Sequence, residues 1–306
     1  MKPLCVIGSL NVDLTVTLPR FHGPGETITG GDFRTYAGGK GGNQAVAAAR
    51  LGGQPRFIGK LGDDGNGDFY RHTLTAEGVD ITGVATVPGV PSGVALIEVD
   101  AAGENRIAVV PGTNGLVDEA HIDAALQAVP ADAICLLQLE IPMPSVIHAA
   151  QAVKRRGGTV ILDPAPAVPL ADGLLQLVDW LTPNEHELKL LTGLPTDTQE
   201  QVETAARALL KRGVGAVVAK LGGRGCLCVT GDGAQFVPGF RVQVVDTTAA
   251  GDSFNAGLAV ALAQGMQGTQ ALRFANAVGA LSVTGAGAQA AMPRMADALA
   301  LMAQQP

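Results

Sequence analysis

The sequence is short of cysteine and has no cluster of basic residues. Only four cysteines occur among its 306 residues, and none of them forms the Cys-x-x-Cys spacing of a zinc or redox motif. Each lies in an apolar, strand-like run, which predicts reduced thiols in the core; they are Cys5, Cys135, Cys226 and Cys228. The formal charge of -7 and the pI near 5.2 argue against binding to nucleic acid through its phosphates.

Long hydrophobic segments and paired histidines are also missing. One lysine and a short apolar stretch precede Asn11 and Asp13, which is neither a signal peptide nor a membrane span, so we expect a cytoplasmic protein with no membrane partner. The five histidines have no partner at metal-ligand spacing, which argues against a zinc site. Because no internal repeat or long polar linker divides the chain, we predict a single domain over residues 1–306.

Short apolar runs alternate with longer amphipathic or alanine-rich stretches, a pattern typical of βαβ units. The predicted strands are 4–8, 56–59, 134–139, 160–163 and 216–220, and the predicted helices are 44–51, 68–77, 144–156, 201–211, 252–263 and 271–283. This order predicts an α/β fold whose mostly parallel sheet is covered by helices on both faces. Two β-rich, glycine-punctuated segments, about 12–36 and 93–110, break the pattern and predict a small inserted sheet.

Polar residues follow most of the predicted strands. Because the carboxyl ends of parallel strands meet at one edge, these residues indicate a shared ligand crevice, although turns also favour Asn, Asp and Gly. The residues in question are Asn11, Asp13, Glu140, Asp163, Asn184, Glu187 and Gly222–Gly225.

The segment from Asp246 to Asn255 places small residues and a carboxylate where an apolar helix begins. Bare N–H groups at a helix N-terminus stabilise phosphate or a developing oxyanion. A carboxylate beside that anion, Asp252, can take the proton from an attacking hydroxyl. The alternative is that Asp252 is a simple N-cap, which the local sequence by itself favours.

A second glycine-rich segment, Gly38 to Asn43, precedes an alanine-rich stretch. It is not a P-loop, because the spacing is wrong and glycine follows Lys40. Glycines let the backbone approach a ligand closely, and Lys40 and Asn43 have donors for hydroxyl groups. A flexible loop before a helix would explain the glycines but not Lys40 and Asn43.

Asn184 and Glu187 begin another predicted helix and lie three residues apart on one face. An amide and a carboxylate at this spacing suit Mg²⁺ that is held largely through water. A capping box, in which the two side chains satisfy each other's backbone N–H groups, explains the pair equally well.

Taken together, these segments resemble the ribokinase-like carbohydrate kinases over nearly the whole chain. The Asp-Thr-x-Ala-Ala-Gly-Asp segment that ends at Asp252 is the most specific of them, and the Gly-Gly-Lys-Gly-x-Asn form with Asn11 and Asp13 is closer to ribokinases than to fructokinases or adenosine kinases. Shorter matches lie at residues 24–27, 138–140, 163–167 and 182–185. The resemblance implies a three-layer α/β sandwich with a lid formed by the inserted sheet, and a homodimer through that lid.

The resemblance also implies a role for individual residues. Asp252 would be the base, and the N–H groups of Ala249, Ala250, Gly251 and Asp252 would form the anion hole. The sugar hydroxyls would be held by Asn11, Asp13, Gly39, Lys40, Asn43 and Glu140. ATP would contact Asn184, Lys220, Leu221, Gly222, Gly223, Arg224, Gly225, Gly251 and Asn276, with Mg²⁺ held by Glu187 through water. A K⁺ activator would be held by Asp246, Thr248, Ser282, Gly285 and Gly287, while Ala291 stands where the family often has serine.

The activity that the resemblance implies is ATP-dependent phosphorylation of D-ribose at its 5-hydroxyl. Three alternatives stay open at this point: a kinase of deoxyribose or another small sugar, a nucleoside kinase, and a sugar-sensing protein without turnover. The joint presence of Asp252, Glu187 and the small residues before the helix argues against the sensor, since binding alone needs no base.

Overall fold

The computed structural model describes residues 1–305 and contains thirteen strands within that range. They are β1 (Leu4–Ile7), β2 (Asn11–Thr17), β3 (Phe33–Gly38), β4 (Arg56–Gly62), β5 (Asp80–Val87), β6 (Gly93–Val99), β7 (Asn105–Val110), β8 (Ile134–Leu137), β9 (Thr159–Leu162), β10 (Trp180–Leu181), β11 (Ala216–Lys220), β12 (Gly225–Thr230) and β13 (Gly233–Pro238). Nine of them form one sheet in the order β13-β12-β11-β10-β9-β8-β1-β4-β5. Its pairs are parallel from β11 to β5, and β12 and β13 add an antiparallel edge.

The residues described also form ten α-helices. They are α1 (Lys40–Arg50), α2 (Gly65–Ala76), α3 (Glu119–Leu126), α4 (Met143–Arg155), α5 (Asp172–Leu175), α6 (Glu185–Thr192), α7 (Gln199–Lys211), α8 (Ala250–Ala263), α9 (Gly268–Ser282) and α10 (Met295–Gln304), with 3-10 turns at Gly112–Leu116 and Gly222–Arg224. No helix within residues 1–305 is long and apolar enough to cross a membrane.

The large sheet separates two hydrophobic cores, because successive side chains of a strand point to opposite faces. In β1, Leu4 and Val6 pack in the core that contains α1, α8 and α9, whereas Cys5 and Ile7 pack in the core that contains α4 and α7. All four cysteines are buried and free, as the sequence predicted. The three-layer α/β sandwich is therefore confirmed, and every strand that was predicted is present.

Four strands form a second sheet in the order β3-β2-β6-β7. These strands come from residues 11–38 and 93–110, the two segments predicted to form the inserted sheet. The first residue of β2, Asn11, pairs with Gly93 of β6 and with Gly38 of β3. We call this second sheet the lid sheet. Its strand β3 leads directly through Gly39 into α1, and so connects the lid sheet to the polar edge of the main sheet.

The prediction was wrong about where α1 begins. The sequence indicated a glycine-rich loop up to Asn43, but the helix begins at Lys40, after Gly39 at a φ of 78°. A carboxylate distant in sequence explains the difference: Glu140 Oε2 accepts a hydrogen bond from Lys40 N at 3.0 Å, and so satisfies an N–H group that the helix leaves free. Asn43 is therefore held on a helix.

Candidate active site

Asp252 lies in the first turn of α8 but does not cap it. The N-cap is Ala249, whose φ of 59° is left-handed, and no side chain caps this helix. The Asp252 carboxylate is instead turned inward, where its Oδ2 accepts from Asn43 Nδ2 at 3.0 Å and its Oδ1 from Gln44 Nε2 at 3.2 Å. The N-cap alternative is therefore wrong, and the left-handed turn costs about 1 kcal/mol, a kind of strain that concentrates at functional sites.

A buried polar network joins Asp252 to the ends of the neighbouring strands. Gln44 Nε2 is shared between Asp252 and Asp163 Oδ2, which lies 3.2 Å away, and Gln44 Oε1 accepts from Gln138 Nε2 at 2.7 Å. The other Asp163 oxygen accepts from Lys220 Nζ at 2.9 Å. The network brings the polar ends of β8, β9 and β11 together, which confirms the shared crevice at the carboxyl edge of the sheet.

The charges around Asp252 suit a proton acceptor. Burial raises the pKa of Asp252 to about 6, and the Lys40 ammonium partly opposes that rise. Burial by itself would lower the pKa of Lys40, but the carboxylates of Asp252, Asp163 and Glu140 raise it above its usual value. At neutral pH the base is therefore ionised, while its pKa is closer to the operating pH than that of an ordinary Asp, as general base catalysis requires.

A cavity of about 630 Å³ opens on one side of Asp252. Most of the residues implied for ATP line it: Asn184, Lys220, Gly222, Gly223, Gly225, Gly251 and Asn276. Leu221 and Arg224 of the same loop face elsewhere, because Leu221 packs in the core and Arg224 pairs with Glu185 at 2.5 Å. The cavity also has an apolar part, to which Phe240, Val242, Val244, Ala280 and Val283 contribute. A cavity lined by glycines, a lysine and apolar side chains suits a ligand with a flat aromatic base and a phosphate chain.

The residues implied for the sugar meet where the lid sheet joins α1: Asn11 and Asp13 belong to β2, and Lys40 and Asn43 belong to α1. Asn11 Oδ1 accepts from Asn114 Nδ2 at 2.8 Å, and Glu140 Oε2 accepts from Ser9 Oγ at 2.5 Å. Asp13 lies directly over Gly38, where a Cβ would come 2.1 Å from Asp13 Oδ2. The structure thus brings Asn11, Asp13, Gly39, Lys40, Asn43 and Glu140 together around the junction of the lid sheet and α1.

Asp13 is the other carboxylate in this region with a strongly raised pKa. Burial, reinforced by the negative charge of Glu140, raises the pKa of Asp13 to about 7. Two carboxylates that face one space need hydrogen-bond donors, and the hydroxyl groups of a polyol supply them.

Asn184 and Glu187 form the capping box that was one of the two alternatives. Asn184 Oδ1 accepts from Glu187 N at 2.8 Å, and Glu187 Oε2 accepts from Asn184 N at 2.7 Å. Glu187 nevertheless lines the cavity, and burial raises its pKa although Lys220 opposes the rise. The capping box uses Glu187 Oε2 and leaves the other carboxylate oxygen for a ligand, so the capping box and a role in binding Mg²⁺ are compatible. Within residues 1–305, no three His, Cys, Asp or Glu side chains group as ligands of one metal ion.

Three of the residues implied for K⁺ meet at the loop that leads into α8. Asp246 Oδ1 accepts from Thr248 N and Oγ1 at 2.9 and 2.6 Å, and Asp246 Oδ2 accepts from Gly287 N at 2.9 Å. Gly285 lies against Ala291, since a Cβ on Gly285 would come 3.2 Å from the Ala291 Cβ. Ser282 Oγ donates to Gly279 O at 2.9 Å, so the proton of this hydroxyl is already used within α9.

Four polar side chains that pack around the site had no predicted role: Gln44, Tyr70, Asn114 and Gln289. The sequence gives one indication that Gln44 is functional, because its amide opens the alanine-rich stretch of residues 44–49. The other three are held by contacts distant in sequence: Tyr70 donates to Gly38 O, Asn114 to Asn11 Oδ1 and Gln289 to Asn43 Oδ1. Nothing in their local sequence indicates such contacts.

The sequence and the fold are both similar to those of known proteins. The sequence profile described as pfkB family carbohydrate kinase matches residues 1–295. A ribokinase of Haemophilus influenzae is 39% identical over 298 residues, and a deoxyribokinase of Salmonella typhi is 38% identical over 291 residues; the alignments cover 97% and 95% of both chains. The structure of Arabidopsis thaliana ribokinase complexed with ribose and ATP superposes with a TM-score of 0.91 at 37% identity, covering 98% of each chain.

Proposed function

Since the chain belongs to the pfkB family of carbohydrate kinases, we propose that it phosphorylates D-ribose at its 5-hydroxyl, with ATP as donor, to give D-ribose 5-phosphate and ADP. The observation that carries the proposal is the position of Asp252, which lines the cavity that would hold ATP and accepts a hydrogen bond from Asn43, one of the residues implied for the sugar. Relatives named ribokinase, one of them solved with ribose and ATP, support this choice of substrates.

In the proposed reaction, the sugar oxygen forms a bond to the γ-phosphorus while the bond from that phosphorus to the β–γ bridging oxygen breaks. Asp252 takes the hydroxyl proton as the sugar attacks. Ala250 N donates to Thr247 O at 3.3 Å, so the donors available at the start of α8 are the N–H groups of Ala249, Gly251 and Asp252. These groups would face the charge that develops on the transferred phosphoryl group, where positioned donors are most effective. Lys40 contributes its positive charge from the sugar side.

We place Mg²⁺ beside the ATP phosphates, near Asn184 and Glu187. The free Glu187 oxygen in the cavity fits a hydrated Mg²⁺, which binds through one or two carboxylates and several waters. When bound, the ion would neutralise phosphate charge. Lys220 and the N–H groups of Gly222 and Gly223, which line the cavity, would contact the phosphates as well, whereas the N–H groups of Arg224 and Gly225 are bonded within the turn. Asn276 would support the part of the cavity that holds the adenine, because its Nδ2 donates to Val237 O and Pro238 O at the end of β13.

The second candidate is a deoxyribokinase, because a relative of that name is almost as similar as the ribokinases. Kinases of another small sugar or of a nucleoside are further alternatives, and a sugar-sensing protein would lack turnover altogether. The carboxylates of Asp13 and Glu140 favour ribose, since each hydroxyl that they hold is lost as a partner when the substrate lacks it.

We expect a coupled assay of ADP release to rank D-ribose first by kcat/KM across D-ribose, 2-deoxy-D-ribose, D-fructose and adenosine. A buried polar site rejects an analogue that leaves its groups unpaired, so deoxyribose should be at least about tenfold poorer. If deoxyribose, fructose or adenosine is preferred, the ribose assignment fails and the kinase assignment survives. Absence of ADP release with every sugar would favour the sensor.

We also propose that K⁺ activates the enzyme weakly from the loop around Asp246. Initial rates should fall when K⁺ is replaced by a large organic cation at constant ionic strength, because the ion would fix the loop that aims the available N–H groups at the start of α8. Ala291 offers no side-chain oxygen next to Gly285, so Ala291→Ser should strengthen the dependence. Equal rates of the parent chain in both salts would remove K⁺ from the account.

We further propose that two copies of the chain associate through the lid sheet. Phe33, Leu96, Ile107 and Val109 belong to that sheet, and 48–65% of each residue's surface is exposed. Exposed apolar residues concentrated on one sheet suit burial against a second copy.

A further inference from the structure

Gln289 connects the segment after α9 to the base through one intermediate side chain. Gln289 is buried, and its Nε2 donates to Asn43 Oδ1 at 3.1 Å and to the Tyr70 hydroxyl at 3.1 Å. Asn43 Nδ2 in turn donates to Asp252 Oδ2 at 3.0 Å. An amide group has one accepting and one donating end, so the bond to Asn43 Oδ1 decides that the donating end faces Asp252.

The opposite orientation of the Asn43 amide would remove a hydrogen bond from Asp252. A rotated amide would bring its oxygen against the Asp252 carboxylate, and the base would lose one of its two side-chain donors. We propose that Gln289 is a positioning residue of the transfer reaction: it fixes the Asn43 amide and thereby the direction of the Asp252 carboxylate. The inference rests on the proposed kinase function, and it deepens that function by one residue that does not touch the base.

The segment that carries Gln289 is itself held firmly. Arg50, at the end of α1, donates to Gln289 O at 2.5 Å and to Met292 O at 3.0 Å, and it also pairs with Glu77 at 2.6 Å. Gly287 N is bound to Asp246 on the other side. The donor of Gln289 is therefore fixed relative to both α1 and the loop that leads into α8, which is what a side chain that orients another one requires.

A double-mutant cycle tests whether Gln289 acts through Asn43. The variants are Gln289→Met, which keeps the length and removes the amide, Asn43→Ala, and the double variant, with the exposed Gln127→Met as matched control. We expect Gln289→Met to lower kcat at saturating sugar about tenfold and to change the KM for ATP less than about twofold. In the Asn43→Ala background the same change should alter kcat less than about twofold, because the side chain that it orients is gone.

Two results would overturn the inference. One is a kcat of Gln289→Met within about twofold of the parent, and the other is an equal loss in both backgrounds, which is what a packing role produces. If Gln289→Met does not fold, Gln289→Asn withdraws the donor from Asn43 and meets the same criteria. The parent chain serves as reference: without parental turnover the proposed function fails, whereas parental turnover with an active Gln289→Met removes only the role of Gln289.

Tyr70→Phe separates the two partners of Gln289. The Tyr70 hydroxyl accepts from Gln289 and donates to Gly38 O at the end of β3. Because the bond from Gln289 to Asn43 survives in this variant, we expect kcat within about twofold of the parent. A loss equal to that of Gln289→Met would show that Gln289 acts through Tyr70 and the lid sheet, which contradicts the proposal.

Discussion

Asp252→Asn is expected to lower kcat by about 10³-fold, since general base catalysis contributes about 10² to 10⁴. Asparagine keeps the shape of the side chain but cannot take the hydroxyl proton. The fold and the binding of both substrates should be retained, because an amide oxygen can still accept from Gln44. Steady-state kinetics with sugar and ATP varied separately measure the effect, and Asp232→Asn, an exposed aspartate in the turn between β12 and β13, is the matched control.

The pH profile adds an independent check on this carboxylate. Because burial raises the pKa of Asp252 to about 6, kcat at saturating sugar should rise with pH through that region as the base ionises. The slope at acid pH should disappear in Asp252→Asn. A variant that keeps turnover within a few-fold of the parent would show that Asp252 is not the base.

Asp13→Ala is expected to raise the KM for the sugar about 50-fold and to change kcat and the KM for ATP far less. The estimate follows from the loss of hydrogen bonds to a charged group in a buried site. Asp32→Ala, an exposed aspartate beside β3 of the same lid sheet, is the control. An increase of less than about threefold, or an equal increase in both KM values, would contradict direct contact between Asp13 and the sugar.

Sugar binding should also depend on pH through Asp13. Burial and Glu140 raise the pKa of Asp13 to about 7 in the free protein, and the ionised form is the better acceptor for sugar hydroxyls. The ionised fraction grows as pH rises through 7, so the KM for the sugar should fall over that range. Asp13→Ala should show no such fall.

The sequence predicted features that depend on local chemistry. Small residues before an apolar run identified the start of α8, and alternating β-rich segments identified the lid sheet. The roles of Asn43 and Asp252 required more, because each side chain is held by a partner more than 200 residues away in sequence. Such contacts follow from the packing of α1 against α8 and against the segment after α9, which no local pattern encodes.

Other misses have the same physical origin. The glycines at positions 41 and 42 indicated a loop, but the distant carboxylate of Glu140 permits a helix to begin at Lys40. The strand-like run at Cys226 and Cys228 was recognised but not placed in the sheet, and β13 was not predicted. Both strands pair antiparallel at the sheet edge, outside the βαβ pattern that served for the parallel strands. Asp252 looked like an N-cap from its neighbours, and only the left-handed turn at Ala249 moves the helix start ahead of it.

The most direct test of the central claim is a crystal structure of the chain with D-ribose and a non-hydrolysable ATP analogue. We expect the sugar to lie beneath the lid sheet, with its 5-hydroxyl about 2.6–3.2 Å from an Asp252 oxygen, as a general base requires. The γ-phosphate should lie at the N-terminus of α8, in line with that hydroxyl. A sugar whose 5-hydroxyl points away from Asp252, or a nucleotide bound outside the cavity beside it, would contradict the account.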